Sequence, residues 1–231
     1  MRSLITALAL STAALAQAAS PTHVYLMNDG TDLFGGSSLT TFGGNFTTSA
    51  GRYSFGANQG FSLESAVNAN VYTLDFAVSL DAVSGYRRLV DFKNLTVDAG
   101  LYNLNTGLNF YPVTTGPSGA FAAGQEVRVT LTRDAAGLLT GYVDGTQQFQ
   151  IDDAAQRATF SSGNAIAYFF RDDTAVSGEV SAGSIDYLRI YDSALSAVEV
   201  ASLASPVPEP ATGLMAAAGL GLFALLRRRR A

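Results

Sequence analysis

The sequence contains no cysteine, no tryptophan and a single histidine, His23, among 231 residues. Without cysteine no disulfide can staple the chain, so an apolar core, with or without a metal ion, has to stabilise it. One histidine close to the start leaves little room for histidine-based zinc sites or a Ser-His-Asp triad, and His23 is read as an ordinary surface residue. The missing tryptophan removes the largest ring on which a sugar could stack and leaves ten tyrosines for that task. Charge is scarce as well, at 14% of residues, and unevenly placed. Arg2 and Arg227, Arg228, Arg229 and Arg230 are five of the fourteen basic residues, so residues 19–205 hold nine basic against eighteen acidic side chains. A surface that acidic favours solubility and hard cations and argues against a nucleic-acid partner. Gly35-Gly36 and Gly43-Gly44 open no amphipathic helix and precede no Lys-Ser or Lys-Thr, so they are read as turns rather than phosphate cradles.

The two ends differ from the middle. Met1-Arg2, an apolar run from Leu4 to Leu15 and the small-residue pattern Ala16-Gln17-Ala18 predict a secretory signal helix over 1–18, cleaved after Ala18. About twelve apolar residues fall short of the roughly 20 that a spanning helix needs. At the other end stand Pro208, Glu209 and Pro210, an apolar stretch from Ala211 to Leu226 and four closing arginines. At about 1.5 Å per residue the stretch reaches roughly 24 Å, enough for a short transmembrane helix if the arginines snorkel. Those arginines stay on the cytoplasmic side as the membrane stop.

Between the ends, strand-like runs alternate with Gly, Asn and Asp at intervals of roughly ten residues, as in all-β sandwiches. In Val71 to Leu80 the residues Tyr72, Leu74, Phe76, Val78 and Leu80 share one face and Thr73, Asp75 and Ser79 the other, which predicts one buried and one wet face. Glu126 to Arg133 repeats the pattern, with Val127, Val129 and Leu131 inward. Leu138 to Val143, Asp144-Gly145 and Gln147 to Ile151 read as a hairpin, because a type I′ turn needs positive φ at both central residues. Further strands are expected at 24–27, 53–55, 86–92, 108–111, 165–170 and 184–191. In the last, Ile185, Tyr187, Arg189 and Tyr191 are assigned to one face and Asp186, Leu188 and Ile190 to the other. Ser196-Ala197-Val198-Glu199 is a capping box that starts a short helix running to about Ala204, stopped by Pro206 and Pro208.

The tail resembles the PEP-CTERM sorting signal. The resemblance implies recognition by a membrane exosortase and the secretion machinery, cleavage near Pro208-Glu209-Pro210, and delivery to the cell surface or extracellular matrix of a Gram-negative bacterium. A plain, permanent C-terminal membrane anchor is the alternative. The middle of the chain resembles laminin-G-like members of the concanavalin A-like lectin/glucanase superfamily. The resemblance rests on Gly141-Tyr142-Val143-Asp144-Gly145, Ile185 to Asp192 and Ala194 to Val200, with weaker support from Tyr86 to Phe92 and Gly100-Leu101-Tyr102. It implies a two-sheet antiparallel jelly roll over 19–204, with the tail over 205–231. Such folds bind sugars, adhere or cleave glycosides, so the side chains have to decide. The superfamily's glucanases carry paired carboxylates on one strand face in a Glu-x-Asp-x-x-Glu or similar run, and this sequence has none. Glu64, Glu126, Glu179 and Glu199 stand isolated. The expectation is a non-enzymatic module that binds polysaccharide or a surface protein, with a glycoside hydrolase or lyase as the alternative. The resemblance also implies a structural calcium, for which Asp186 is the matching residue. Asp152-Asp153 and Asp172-Asp173 are read as solvated turn residues or further calcium ligands.

Overall fold

The computed structural model describes residues 19–160 and 166–203, and the predicted signal helix and transmembrane tail lie outside them. Among the described residues no helix is long and apolar enough to cross a membrane. Among the described residues fifteen strands precede one helix. They are β1 (His23–Tyr25), β2 (Thr40–Thr41), β3 (Asn45–Thr47), β4 (Arg52–Phe55), β5 (Phe61–Glu64), β6 (Tyr72–Leu80), β7 (Tyr86–Asp91) and β8 (Gly100–Leu104). The chain continues through β9 (Gly107–Tyr111), β10 (Thr114–Thr115), β11 (Glu126–Arg133), β12 (Leu138–Val143), β13 (Thr146–Asp152), β14 (Ile166–Phe169) and β15 (Gly183–Tyr191) to α1 (Ala197–Ser202).

The strands form two antiparallel sheets. One runs β13-β12-β11-β6-β15-β4-β3, with β1 also on β15, and the other runs β10-β9-β8-β7-β14-β5-β2. The alternation that predicts β6 and β11 aims Leu74, Phe76, Val78, Val129 and Leu131 into the space between them. There they meet Phe61, Leu101, Phe110 and Phe169 of the facing sheet, and Phe61 stacks on Phe169 at 4.9 Å between ring centroids. Each such side chain contributes on the order of 1.5–3 kcal/mol when removed from water. This apolar interior does the work that disulfides cannot.

The Asp144-Gly145 hairpin forms as expected, with φ of 50° and 77° and Val143 opposite Thr146. The capping box forms too: Glu199 N donates to Ser196 Oγ, and Ser196 N donates to Glu199 Oε2. Two sequence expectations need correction. The second face of β6 is not wet, since Thr73 and Asp75 are fully buried. Residues 193–203 fold back over that face: Thr73 donates to Ser193 O and accepts from Leu195 N, and Leu195 and Val200 pack with Tyr142 and Tyr191. The face assignment of β15 also changes. Its pairing with β6 shifts between Ile185 and Tyr187, so Asp186 is the extra residue of a β-bulge. The bulge puts Ile185 on the core side with Leu188 and Ile190, away from Tyr187 and Arg189.

Candidate functional site

The outer face of the seven-stranded sheet gathers aromatic and charged side chains. A β-bulge between Arg88 and Val90 lets Tyr86 and Arg88 face outward opposite Leu104 and Tyr102 while Val90 turns into the core. Tyr102 on β8 lies opposite Asn109 on β9, and Tyr111 lies opposite Gly100. The rings of Tyr86, Tyr102 and Tyr111 meet edge to face, at centroid distances of 5.5 Å, 5.5 Å and 6.3 Å. Tyr102 is buried, whereas Tyr86 and Tyr111 are half-buried and offer ring surface to solvent.

Arg88 is fully buried beside them, its guanidinium 4.6 Å from the Tyr102 ring centroid. Gly100 makes this placement possible, because a Cβ there would stand 3.0 Å from Arg88 Nη1. Four carboxylates surround the cation. Nη1 donates to Asp91 at 3.1 Å; Nη2 donates to Asp98 at 3.1 Å and to Asp173, and Glu179 Oε2 stands 3.9 Å from Nη2. Asp91 also accepts from Lys93 N and Leu95 N, and Asp173 from Ala175 N and Val176 N. The hub therefore ties the loops that follow β7 and β14 to the tyrosine face. Tyr102 completes it by donating to Asp98.

Burial, and next the nearby Asp98 charge, push the Glu179 carboxyl up to about 7 against the pull of Arg88. Glu179 thus changes charge near neutrality. Between the ordinary carboxylate range and about 7 the folded chain holds a proton that the unfolded chain has released, so this group's contribution to stability falls as pH rises through that window. Glu179→Gln should melt at the same temperature as the parent near pH 4 and at a higher one near pH 8. Parallel melting curves across that range would show that Glu179 is not the responsible group.

The residues singled out from the sequence fall elsewhere. Asp186 is partly exposed, 3.5 Å from Arg52 Nη2, and Arg52 also reaches Glu126 at 2.6 Å. Burial, then Glu126, raise its carboxyl, and Arg52 opposes them. A guanidinium thus supplies the positive charge at this position. β1 pairs with β15 at residues 188–190, beyond Asp186. That donor set does not fit the six to eight oxygens calcium takes. Among the described residues no group of three or more His, Asp or Glu is placed to hold a metal. The acidic pairs are not solvated throughout: Asp153 and Asp173 are buried against Arg133 and Arg88. Glu64 is exposed and Glu199 is used by the capping box. Pro208, Glu209, Pro210 and the closing arginines lie outside the described residues. The sequence did show Tyr86 and Arg88 at i, i+2 on a strand, but gave no sign that Asp98, Asp173 and Glu179 converge on them.

Comparison with known proteins adds two family matches. A model described as the concanavalin A-like lectin/glucanases superfamily covers residues 42–201, and one described as the PEP-CTERM protein-sorting motif covers residues 206–230. A search of the curated proteins finds no match. Among solved structures, domain 4 of AbnA, a GH43 extracellular arabinanase from Geobacillus stearothermophilus in complex with arabinotriose, is similar with a TM-score of 0.63 and 18% identity, over 82% of this chain and 100% of that one. Trypanosoma rangeli sialidase in complex with 2,3-difluorosialic acid gives 0.62 and 16%, over 83% of this chain but only 33% of the sialidase. The botulinum neurotoxin serotype D binding domain gives 0.55 and 11%, over 79% and 50%. At these identities the likeness is one of fold.

Proposed function

Because the chain belongs to the concanavalin A-like lectin/glucanases superfamily and ends in a PEP-CTERM protein-sorting motif, we propose that it is an exported glycan-binding module delivered to the cell surface or extracellular matrix. Exosortase processing at Pro208-Glu209-Pro210 would release it from a membrane-anchored precursor. The observation that carries the binding role is the Tyr86–Tyr102–Tyr111 face with its rim of carboxylates. A sugar presents a C–H face and a hydroxyl edge, and a half-exposed ring beside fixed acceptors matches both. Domain 4 of AbnA, of the same fold, was solved with arabinotriose, which supports a saccharide as the ligand class.

The arrangement of Arg88 supports binding rather than cleavage. Glycoside hydrolysis needs the scissile bond between two carboxyl groups. Here Asp98 and Glu179 both lie within 4 Å of Nη2 of one buried guanidinium and interact directly with each other, which leaves no room for a scissile bond between them.

A glycan array probed with the full-length chain, followed by titration of the best oligosaccharide, tests this reading. The double variant Tyr86→Ala, Tyr111→Ala should bind that oligosaccharide at least about tenfold more weakly, equivalent to roughly 1.4 kcal/mol. An empty array, or equal affinity in the variant, would sink it. Turnover of a bound glycan would move the assignment to the hydrolase class.

A further inference from the structure

A second concavity lies away from the tyrosine face, where β11 turns into β12. Its volume is about 460 Å³, within the usual size range of small-molecule sites, and its lining includes Asn70, Arg133, Ala136, Gly137, Asp153 and Gln156. Arg133 is the chemically informative member. It is 5% exposed, with Nε 2.9 Å from Asp153 Oδ2 and Nη1 2.6 Å from Asn70 O. Nη2 has no hydrogen-bond partner among the described residues. It stands 3.4 Å from the point where a Cβ on Gly137 would lie, so the glycine leaves that end of the fork open to the cavity.

The group left open in the lining is a cationic donor, which selects an anion. Asp153 is fully engaged, because besides Arg133 it accepts from Arg157 N at 2.7 Å and Ala158 N at 3.1 Å. Lys93, outside the lining, braces the wall by donating from Nζ to the carbonyls of Gln156 at 2.8 Å and Thr159 at 2.6 Å. Arg133 and Asp153 are the charged residues of the lining, and of the two the arginine alone keeps an unpartnered group, Nη2, on a domain where acids outnumber bases two to one. A guanidinium nitrogen with two N–H groups to offer matches a carboxylate oxygen.

We propose that this cavity binds the carboxylate of an acidic sugar, a uronate unit of a polysaccharide, through Nη2 of Arg133. The choice of a sugar as carrier rests on the glycan-binding reading above, while the choice of a carboxylate rests on the cavity alone. The site is separate from the tyrosine face, so one chain would hold a polysaccharide at two points.

The test is titration of the full-length chain, in detergent, with trigalacturonate, with neutral galactotriose and with a glutamate-rich hexapeptide. Trigalacturonate should bind at least about tenfold more tightly than galactotriose, and more weakly as salt is raised. Ala136→Trp fills the cavity from an exposed turn position without touching the Arg133 network, and should cut trigalacturonate affinity at least about tenfold. Arg133→Lys should do the same by losing the fork while keeping the charge. Tyr86→Ala with Tyr111→Ala should leave the preference for trigalacturonate over galactotriose intact. Unchanged trigalacturonate affinity in Ala136→Trp would overturn the proposal, as would tighter binding of the hexapeptide. If the best array glycan binds but trigalacturonate does not, only the cavity assignment falls; if neither binds, the glycan reading falls with it.

Discussion

Arg88→Ala should destabilise the domain by about 3–5 kcal/mol, the usual cost of removing one partner from a buried ion pair. For a domain of this size that corresponds to a fall in melting temperature of roughly 6–20 °C. Arg88 is the only cation within salt-bridge distance of Asp91, Asp98, Asp173 and Glu179 among the described residues, and Asp91 and Asp173 have no side-chain exposure. Backbone amides would still solvate those two, but nothing would balance their charge. Asp91 is already raised by burial with the arginine in place. The deficit should therefore shrink as pH falls and the orphaned carboxylates take up protons. Thermal unfolding of parent and variant at pH 7 and pH 4.5 reads both effects. A loss below about 1 kcal/mol at pH 7 would mean that water reaches the hub and screens it. Arg88→Lys should fall between the two, since a single ammonium cannot address carboxylates from both ends of a planar fork.

Much of the fold was legible in the chain because it depends on short-range rules. The two-residue period of β6 and β11, the Asp144-Gly145 turn and the Ser196-Glu199 box each encode their geometry within a few residues. Short edge strands such as β2, β3 and β10 escaped, since two or three residues show no period. The bulges were invisible for another reason: at Ile185/Tyr187 one extra residue reverses which side chains face the core, and strand alternation cannot reveal where that happens. The ion hub is less legible still. Arg88, Asp98, Asp173 and Glu179 span 91 positions of sequence, and only the closure of two loops over one sheet brings them together. Read singly, an aspartate in a loop looks solvated. Asp153 and Asp173 are buried because an arginine from another strand of the same sheet, on β11 and β7, is aimed at each.

The eight-stranded sheet carries a second hub on its own outer face, and Asp75→Ala should cost a similar 3–5 kcal/mol there. Register places Asp75 directly opposite Thr130 on β11 and Arg189 on β15. Arg189 donates to Asp75 Oδ2 through Nε at 2.9 Å and Nη2 at 2.6 Å, and Thr130 Oγ1 donates to Oδ1 at 2.7 Å. Arg128 Nε stands 3.9 Å from the same Oδ1, and its two terminal nitrogens hold the carbonyls of Val200 and Leu203 at the end of α1. Removing the carboxylate therefore takes away the buried negative charge that the two guanidiniums share and loosens the clamp on the helix. Denaturant unfolding should show the stability loss, and amide exchange over residues 197–203 should quicken more than over β12. Arg189→Met added to Asp75→Leu should recover part of the loss, because two well-packed apolar groups avoid the unpaired charge. No recovery, together with unchanged exchange in α1, would mean that Asp75 acts through Thr130 alone. The helix so clamped ends at Ser202, and the sorting motif begins at residue 206. Arg128 thus ties the helix that precedes the sorting motif to the outer face of the sheet.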